Sequence, residues 1–166
     1  NITGSDITTT TGNITLNAGN DVNISSGQEV NSGERREEKK NGRNKQRRLI
    51  DRGETKNIAS NINAGDELNI TSNNNTIITS SNLTAQNDIN VNAANNLLLL
   101  TSSDINTFSD NNKKRGTFFQ SNAVAGNINT NIINNSITSN SGTITLDAVN
   151  NIIVQYSQDE QMPDYI

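Results

Sequence analysis

The chain has 166 residues, room for one domain, and a net charge of −4. It contains no Cys and no His, which removes a disulfide framework, a thiolate metal site, the commonest general base and the imidazole metal ligand. Only 30% of residues are hydrophobic and 3% aromatic, the mean hydropathy is −0.68, and Asn fills about a fifth of the positions, a profile that leans toward disorder unless periodicity overrules it. No apolar run approaches the roughly 18 residues of a membrane span. The chain opens on no signal-peptide pattern, and it reads as a middle segment of something longer.

Periodicity does overrule composition, beginning with SDITTTTGNITLNAGNDVNISS. Ile7, Ile14, Leu16, Val22 and Ile24 come as short alternating sets there, with Thr or Asn between them. Period 2 puts the apolar side chains on one face of a strand and the polar ones on the other. The next stretch, EVNSGERREEKKNGRNKQRRLIDRGETK over 29–56, is a charged insertion with ten cations and six carboxylates. It has no sustained apolar stripe for a packed helix, so an exposed hairpin or a flexible loop is expected.

Residues 60–103 are one unit written twice. Ile62, Leu68, Ile70 and Ile78 recur as Leu83, Ile89, Val91 and Leu99, each 21 residues on, and Leu97 alternates with Leu99. Gly65-Asp66, Asn87-Asp88 and Asn95-Asn96 separate the triplets, residue types that tolerate a left-handed backbone at a sharp corner. Three strands and three corners in about 20 residues describe one rung of a coiled solenoid.

A second insertion covers 104–135. A hairpin is expected to turn near Asn111–Lys114, with Phe108, Phe118 and Phe119 packing on the solenoid side. Ala123 to Ile128 and Ile132-Ile133 are expected to regain a degenerate rung. Ile137, Ile144, Leu146, Ile152 and Val154 then repeat the five apolar positions of the first rung, all displaced by 130 residues. The tail 158–166 breaks the pattern at Met162-Pro163. The expected fold is therefore all-β, a single parallel β-solenoid segment over 1–166 with about 20–21 residues per rung and two extruded loops or hairpins. Five to seven rungs at about 4.8 Å each would make it roughly 25–35 Å long.

The rung wording carries a resemblance. Gly12-Asn13-Ile14-Thr15-Leu16-Asn17-Ala18-Gly19-Asn20-Asp21-Val22-Asn23-Ile24 resembles the haemagglutinin-repeat segments of filamentous-haemagglutinin-like exoproteins, the large adhesins and contact-dependent inhibition effectors of two-partner secretion. Asn63-Ala64-Gly65-Asp66-Glu67-Leu68-Asn69-Ile70 and Thr84-Ala85-Gln86-Asn87-Asp88-Ile89 fit the same wording, which covers the chain up to about Ser157. The rungs here are richer in Asn than in Gly. The resemblance implies a right-handed parallel β-helix at a bacterial surface, secreted through an outer-membrane transporter, where a host or neighbouring-cell receptor or glycan is a possible partner. It implies no activity for a secretion or toxin domain, because neither is present.

The candidate chemistry lies in charge. All 13 Lys and Arg fall in the two insertions and none in the rungs. Arg35, Arg36, Lys39, Lys40, Arg43, Lys45, Arg47, Arg48, Lys113, Lys114 and Arg115 are candidate contacts for an anion or glycan. The bland alternative is a solvated loop, since Glu34, Glu37, Glu38, Asp51 and Glu54 are interleaved with them. The 29–56 segment has no aromatic residue to stack on bases, so nucleic acid is not expected. The rung acids Asp6, Asp21, Asp66, Glu67, Asp88 and Asp147 are scattered single residues. They lack the grouped carboxylates of polysaccharide-cleaving β-helices, so neither catalysis nor a cofactor is expected. They are expected to be corner residues chosen for backbone conformation, with a weak Ca²⁺ site as the less favoured reading; Asp21, Asp66 and Asp88 precede the same strand in successive rungs, a placement that would let them stack as a ladder.

Overall fold

A computed structural model describes residues 1–155; the expected non-repeat tail lies outside them. Every regular element among the described residues is a strand. A short β1 (Ile2–Thr3) precedes rung 1, made of β2 (Asp6–Thr8), β3 (Ile14–Ala18) and β4 (Val22–Ser25). Two long strands follow, β5 (Gly27–Asn41) and β6 (Asn44–Ile58). Rung 2 is β7 (Asn61–Ala64), β8 (Leu68–Ser72) and β9 (Thr76–Thr79). Rung 3 is β10 (Asn82–Ala85), β11 (Ile89–Ala93) and β12 (Asn96–Leu100). Two more long strands, β13 (Ser102–Arg115) and β14 (Gln120–Ile133), lead to rung 4: β15 (Ser136–Ser139), β16 (Ile144–Ala148) and β17 (Asn151–Val154).

The first, second and third strands of the rungs form three separate sheets, β2-β7-β10-β15, β3-β8-β11-β16 and β1-β4-β9-β12-β17. The pairings of the three sheets are parallel. Their register follows the sequence repeat. Ile14 lies beside Leu68, Leu68 beside Ile89, and Ile89 beside Ile144. Among the described residues, four stacked three-strand rungs make a parallel β-helix, fewer than the five to seven expected, because the second insertion regains no rung.

The chain divides into two compact units. The first holds Asn1–Gln28, Asn57–Ser102 and the residues from Ile132 on; the second holds Glu29–Lys56 and Ser103–Asn131. The hydrophobic core belongs to the first. Ile24, Ile62, Leu68, Ile70, Ile78, Leu83, Ile89, Val91 and Leu97 are buried there, with Ile14, Val22 and Leu99 close behind. Ile7, Leu16, Ile137 and Leu146 are partly buried against that core. Ile144, Ile152 and Val154 occupy the equivalent positions of rung 4 but are 40%, 47% and 62% exposed. No further described rung lies beyond them to cover that side, and a solenoid buries its apolar residues only between neighbouring rungs.

Asn has a different role from the one its composition suggests. Among the described residues, the only non-glycine with positive φ is Ser80, at 45°, so the Asn and Asp of the corners do not sit in the left-handed region. They hydrogen-bond up the stack instead. Asn61 Nδ2 donates to Asp6 Oδ1 at 2.6 Å and Asn82 Nδ2 to Asn61 Oδ1 at 2.8 Å. A second ladder runs from Asp21 through Asn74 to Asn95 and Asn150, and a third joins Asn75, Asn96 and Asn151. A ladder of Asp21, Asp66 and Asp88 does not form. Asp66 accepts from Asn87, Asp21 accepts from Asn74 and Asn75, and Asp88 accepts from the Thr143 N–H. Each carboxylate is thereby matched to a donor rather than to another anion.

Glycine at Gly65 answers a different need. Rungs 1 and 4 have seven residues from first to second core position, Ile7 to Ile14, where rungs 2 and 3 have six. The longer rung 1 corner brings the Thr10 backbone so close that a Cβ at Gly65 would lie 2.2 Å from its carbonyl carbon. Buried hydroxyls fill the passage from third to first strand. Ser60 Oγ donates to the Ser25 carbonyl at 2.7 Å, and Ser80 Oγ donates to that of Ile133 at 2.6 Å. Asn135 Nδ2 donates to the carbonyls of both Ile78 and Leu100.

Candidate functional site

The second unit is built from the four long strands, ordered β5-β6-β13-β14 in one sheet. β5 and β6 are joined by the two-residue turn Gly42-Arg43, where Gly42 has φ 59°, a conformation that glycine adopts without steric cost. The charged insertion is thus an exposed hairpin, one of the two forms expected. The second hairpin turns at Thr117-Phe118, later than expected, with the Gly116 N–H donating to the Phe119 carbonyl at 2.8 Å. A Cβ at Gly116 would meet the Phe119 ring at 2.3 Å, so the ring folds over a position that only Gly leaves open.

Two expectations fail in this sheet. Phe118 and Phe119 are 97% and 57% exposed rather than packed on the solenoid. Residues 123–128, expected as a degenerate rung, lie within β14 at the sheet edge, and Val124 and Ile128 are exposed. Their alternation was real; it describes a strand, and only its assignment to a rung was wrong.

β6 and β13 pair antiparallel, with Arg48 opposite Asn112 and Ile50 opposite Asp110. Alternation gives this pair two unlike faces. On one, Arg48 grips Asp110 through Nε at 3.0 Å and Nη2 at 2.6 Å, a forked charge-assisted contact. Gln46 donates to Asn112 at 3.1 Å, and the Arg52 guanidinium lies 5.8 Å from the centre of the Phe108 ring, within cation–π range. Hydrogen bonds from Arg48 hold the Asp110 carboxyl below the usual carboxylate range.

The other face is unlike this. Lys113 lies directly opposite Arg47, and Arg115 directly opposite Lys45. Like charges in directly opposed positions destabilise a strand pair. Glu38 of β5 relieves two of them, at 2.6 Å from Lys45 and 3.2 Å from Arg47, and hydrogen bonding to Lys45 lowers its own carboxyl pKa. A shallow groove of about 280 Å³ is lined by Lys45, Arg47, Lys113, Lys114, Arg115 and Gln120.

The structure therefore gathers five of the eleven candidate cations. Arg35 pairs with Glu37 and Arg36 with Glu34 on β5, and Arg48 is committed to Asp110. Lys39 and Lys40 belong to β5 and Arg43 to its turn, so none of the three lines the groove. Sequence reasoning placed the cations in two separate insertions and missed that β6 and β13 would pair. The signal was present in the spacing. Both insertions fall after the third strand of a rung and displace the phase almost equally, Ile7 to Ile62 by 55 and Leu83 to Ile137 by 54. The chain leaves rung 1 by β5, rejoins rung 2 by β6, leaves rung 3 by β13 and rejoins rung 4 by β14. The sheet order repeats that order. Among the described residues no three acidic side chains converge as a metal site would need, and no helix is long and apolar enough to cross a membrane.

Residues 44–117 match the family described as hemagglutinin repeat. That span begins at β6, runs through rungs 2 and 3 and ends just past β13, so the matching unit contains both central strands of the extruded sheet. Over that stretch the chain is similar to a haemagglutinin-repeat segment. No curated protein and no solved structure matches it.

Proposed function

We propose that the chain is a structural stalk segment of a secreted bacterial surface adhesin or toxin-delivery filament, exported through an outer-membrane transporter. The observation behind this reading is the uninterrupted register of the rungs, Ile7 beside Ile62 beside Leu83 beside Ile137. Such a stack lengthens by about 4.8 Å per rung. The rungs contain no cation and no convergent acids, so they offer spacing rather than chemistry.

The groove of Lys45, Arg47, Lys113, Lys114 and Arg115 favours a second reading, an adhesive module for a sulfated or otherwise anionic glycan. A bound polyanion would relieve the opposed like charges that Glu38 only partly neutralises. Salt-gradient elution from a heparin column separates the two readings. A stalk passes through at physiological salt. An adhesive module is retained, and loses retention when Lys45, Arg47, Lys113 and Arg115 are changed to Ser.

A further inference from the structure

The two outer strands of the extruded sheet are opposites. β5 carries Glu34, Arg35, Arg36, Glu37, Glu38, Lys39 and Lys40, the kind of charged edge that discourages pairing with another strand. β14 is nearly as long, 14 residues against 15, and holds no charged residue at all, with every side chain from Gln120 to Asn131 exposed. Among the described residues no strand lies beside its outer backbone groups. A long, uncharged, exposed edge is the feature that recruits a further strand.

The sequence of β14 also says which strand would fit. Val124 and Ile128, 65% and 75% exposed, flank Gly126 symmetrically on one face. If a second β14 pairs antiparallel about Gly126, Val124 of each copy meets Ile128 of the other, a β-branched cross-strand pair made twice. Asn122 then meets Thr130, Ala125 meets Asn127, and no pair brings charges together. Gly126 at the axis adds no side chain there, and it is held to glycine by its own sheet, since a Cβ would lie 2.8 Å from the Phe108 carbonyl oxygen. We infer that β14 is a self-pairing edge, through which two copies of this chain join their four-stranded sheets into one of eight strands. The contact is two-fold and isologous. The new outer edges are both β5, whose charges close the assembly at two copies.

Sedimentation equilibrium tests this with the whole chain. The expected result is a mass of two chains that falls to one when Val124→Lys and Ile128→Lys are combined, because each Lys then faces a Lys. Combining Val124→Lys with Ile128→Glu should restore the dimer, since every Lys then faces a Glu. Circular dichroism of each variant checks folding, and both positions are solvent-exposed. As a second measurement, Val124→Cys with Ile128→Cys should form disulfides between chains under mild oxidation. Within one strand those positions are about 13 Å apart, too far to bridge. A monomer at all concentrations, a Lys/Lys variant that still dimerises, a Lys/Glu variant that stays monomeric, or growth beyond two chains would each overturn the inference.

Discussion

Leu97 is fully buried between Thr76 of rung 2 and Ile152 of rung 4 in the same parallel sheet. Truncation to Ala would leave a cavity that neighbouring rungs cannot close, and a loss of about 2–5 kcal/mol is expected in denaturant unfolding. Leu97→Asp would bury an unpaired carboxylate and should abolish cooperative melting. Ile153, 49% exposed on the opposite face of its strand, should accept Asp with a cost below about 1 kcal/mol. Gly65→Ala is expected to destabilise despite the small size of Ala, because its methyl would press on the Thr10 backbone. The apolar residues were legible from period 2 alone. Asn was not, because composition and local turn preference describe a residue in its own rung, whereas the Nδ2–Oδ1 contacts of Asn82, Asn95 and Asn96 reach the rung 21 positions away.

At the scale of elements, the β6–β13 pair depends on contacts between strands separated by the 43 residues from 59 to 101. Arg48→Ala should loosen it more than Arg35→Ala, whose partner Glu37 lies two residues away on the same strand. Hydrogen exchange at the amides of β6 and β13 would register the difference. The pH dependence has a definite sign. Asp110 has a lowered pKa in the folded chain, so its tie to Arg48 is fully present above the ordinary carboxylate pKa of about 4 and is lost as pH falls through the lowered value. Carboxyl chemical shifts of Asp110 should therefore titrate below those of an exposed Asp, and Arg48→Ala should return them to the ordinary range. A sequence reading could place each hairpin but not the sheet they share, since pairing across a gap leaves no local periodicity. The same limit explains Ala123 to Ile128, where a short apolar alternation fits either a rung strand or an edge strand.

For the whole molecule, the division into two units is itself testable. No residue of Glu29–Lys56 or Ser103–Asn131 belongs to the buried hydrophobic core. Replacing both segments with short Gly/Ser linkers should leave a β-rich chain that still melts cooperatively. Loss of that transition would mean that the long strands are required for the stack.

The one-residue difference between the Ile7–Ile14 and Leu83–Ile89 corners has a consequence for how such a chain can change over generations. A gained or lost residue at a corner is absorbed by a neighbour such as Gly65, whereas inside a strand it would turn the Leu or Ile side chains outward. A copied block of 21 residues disturbs neither, because each new side chain meets a neighbour of the kind it already had. Length is then a heritable quantity nearly independent of stability. Lineages could adjust how far the stack extends by duplicating whole rungs, while point substitutions in the long strands left its register untouched.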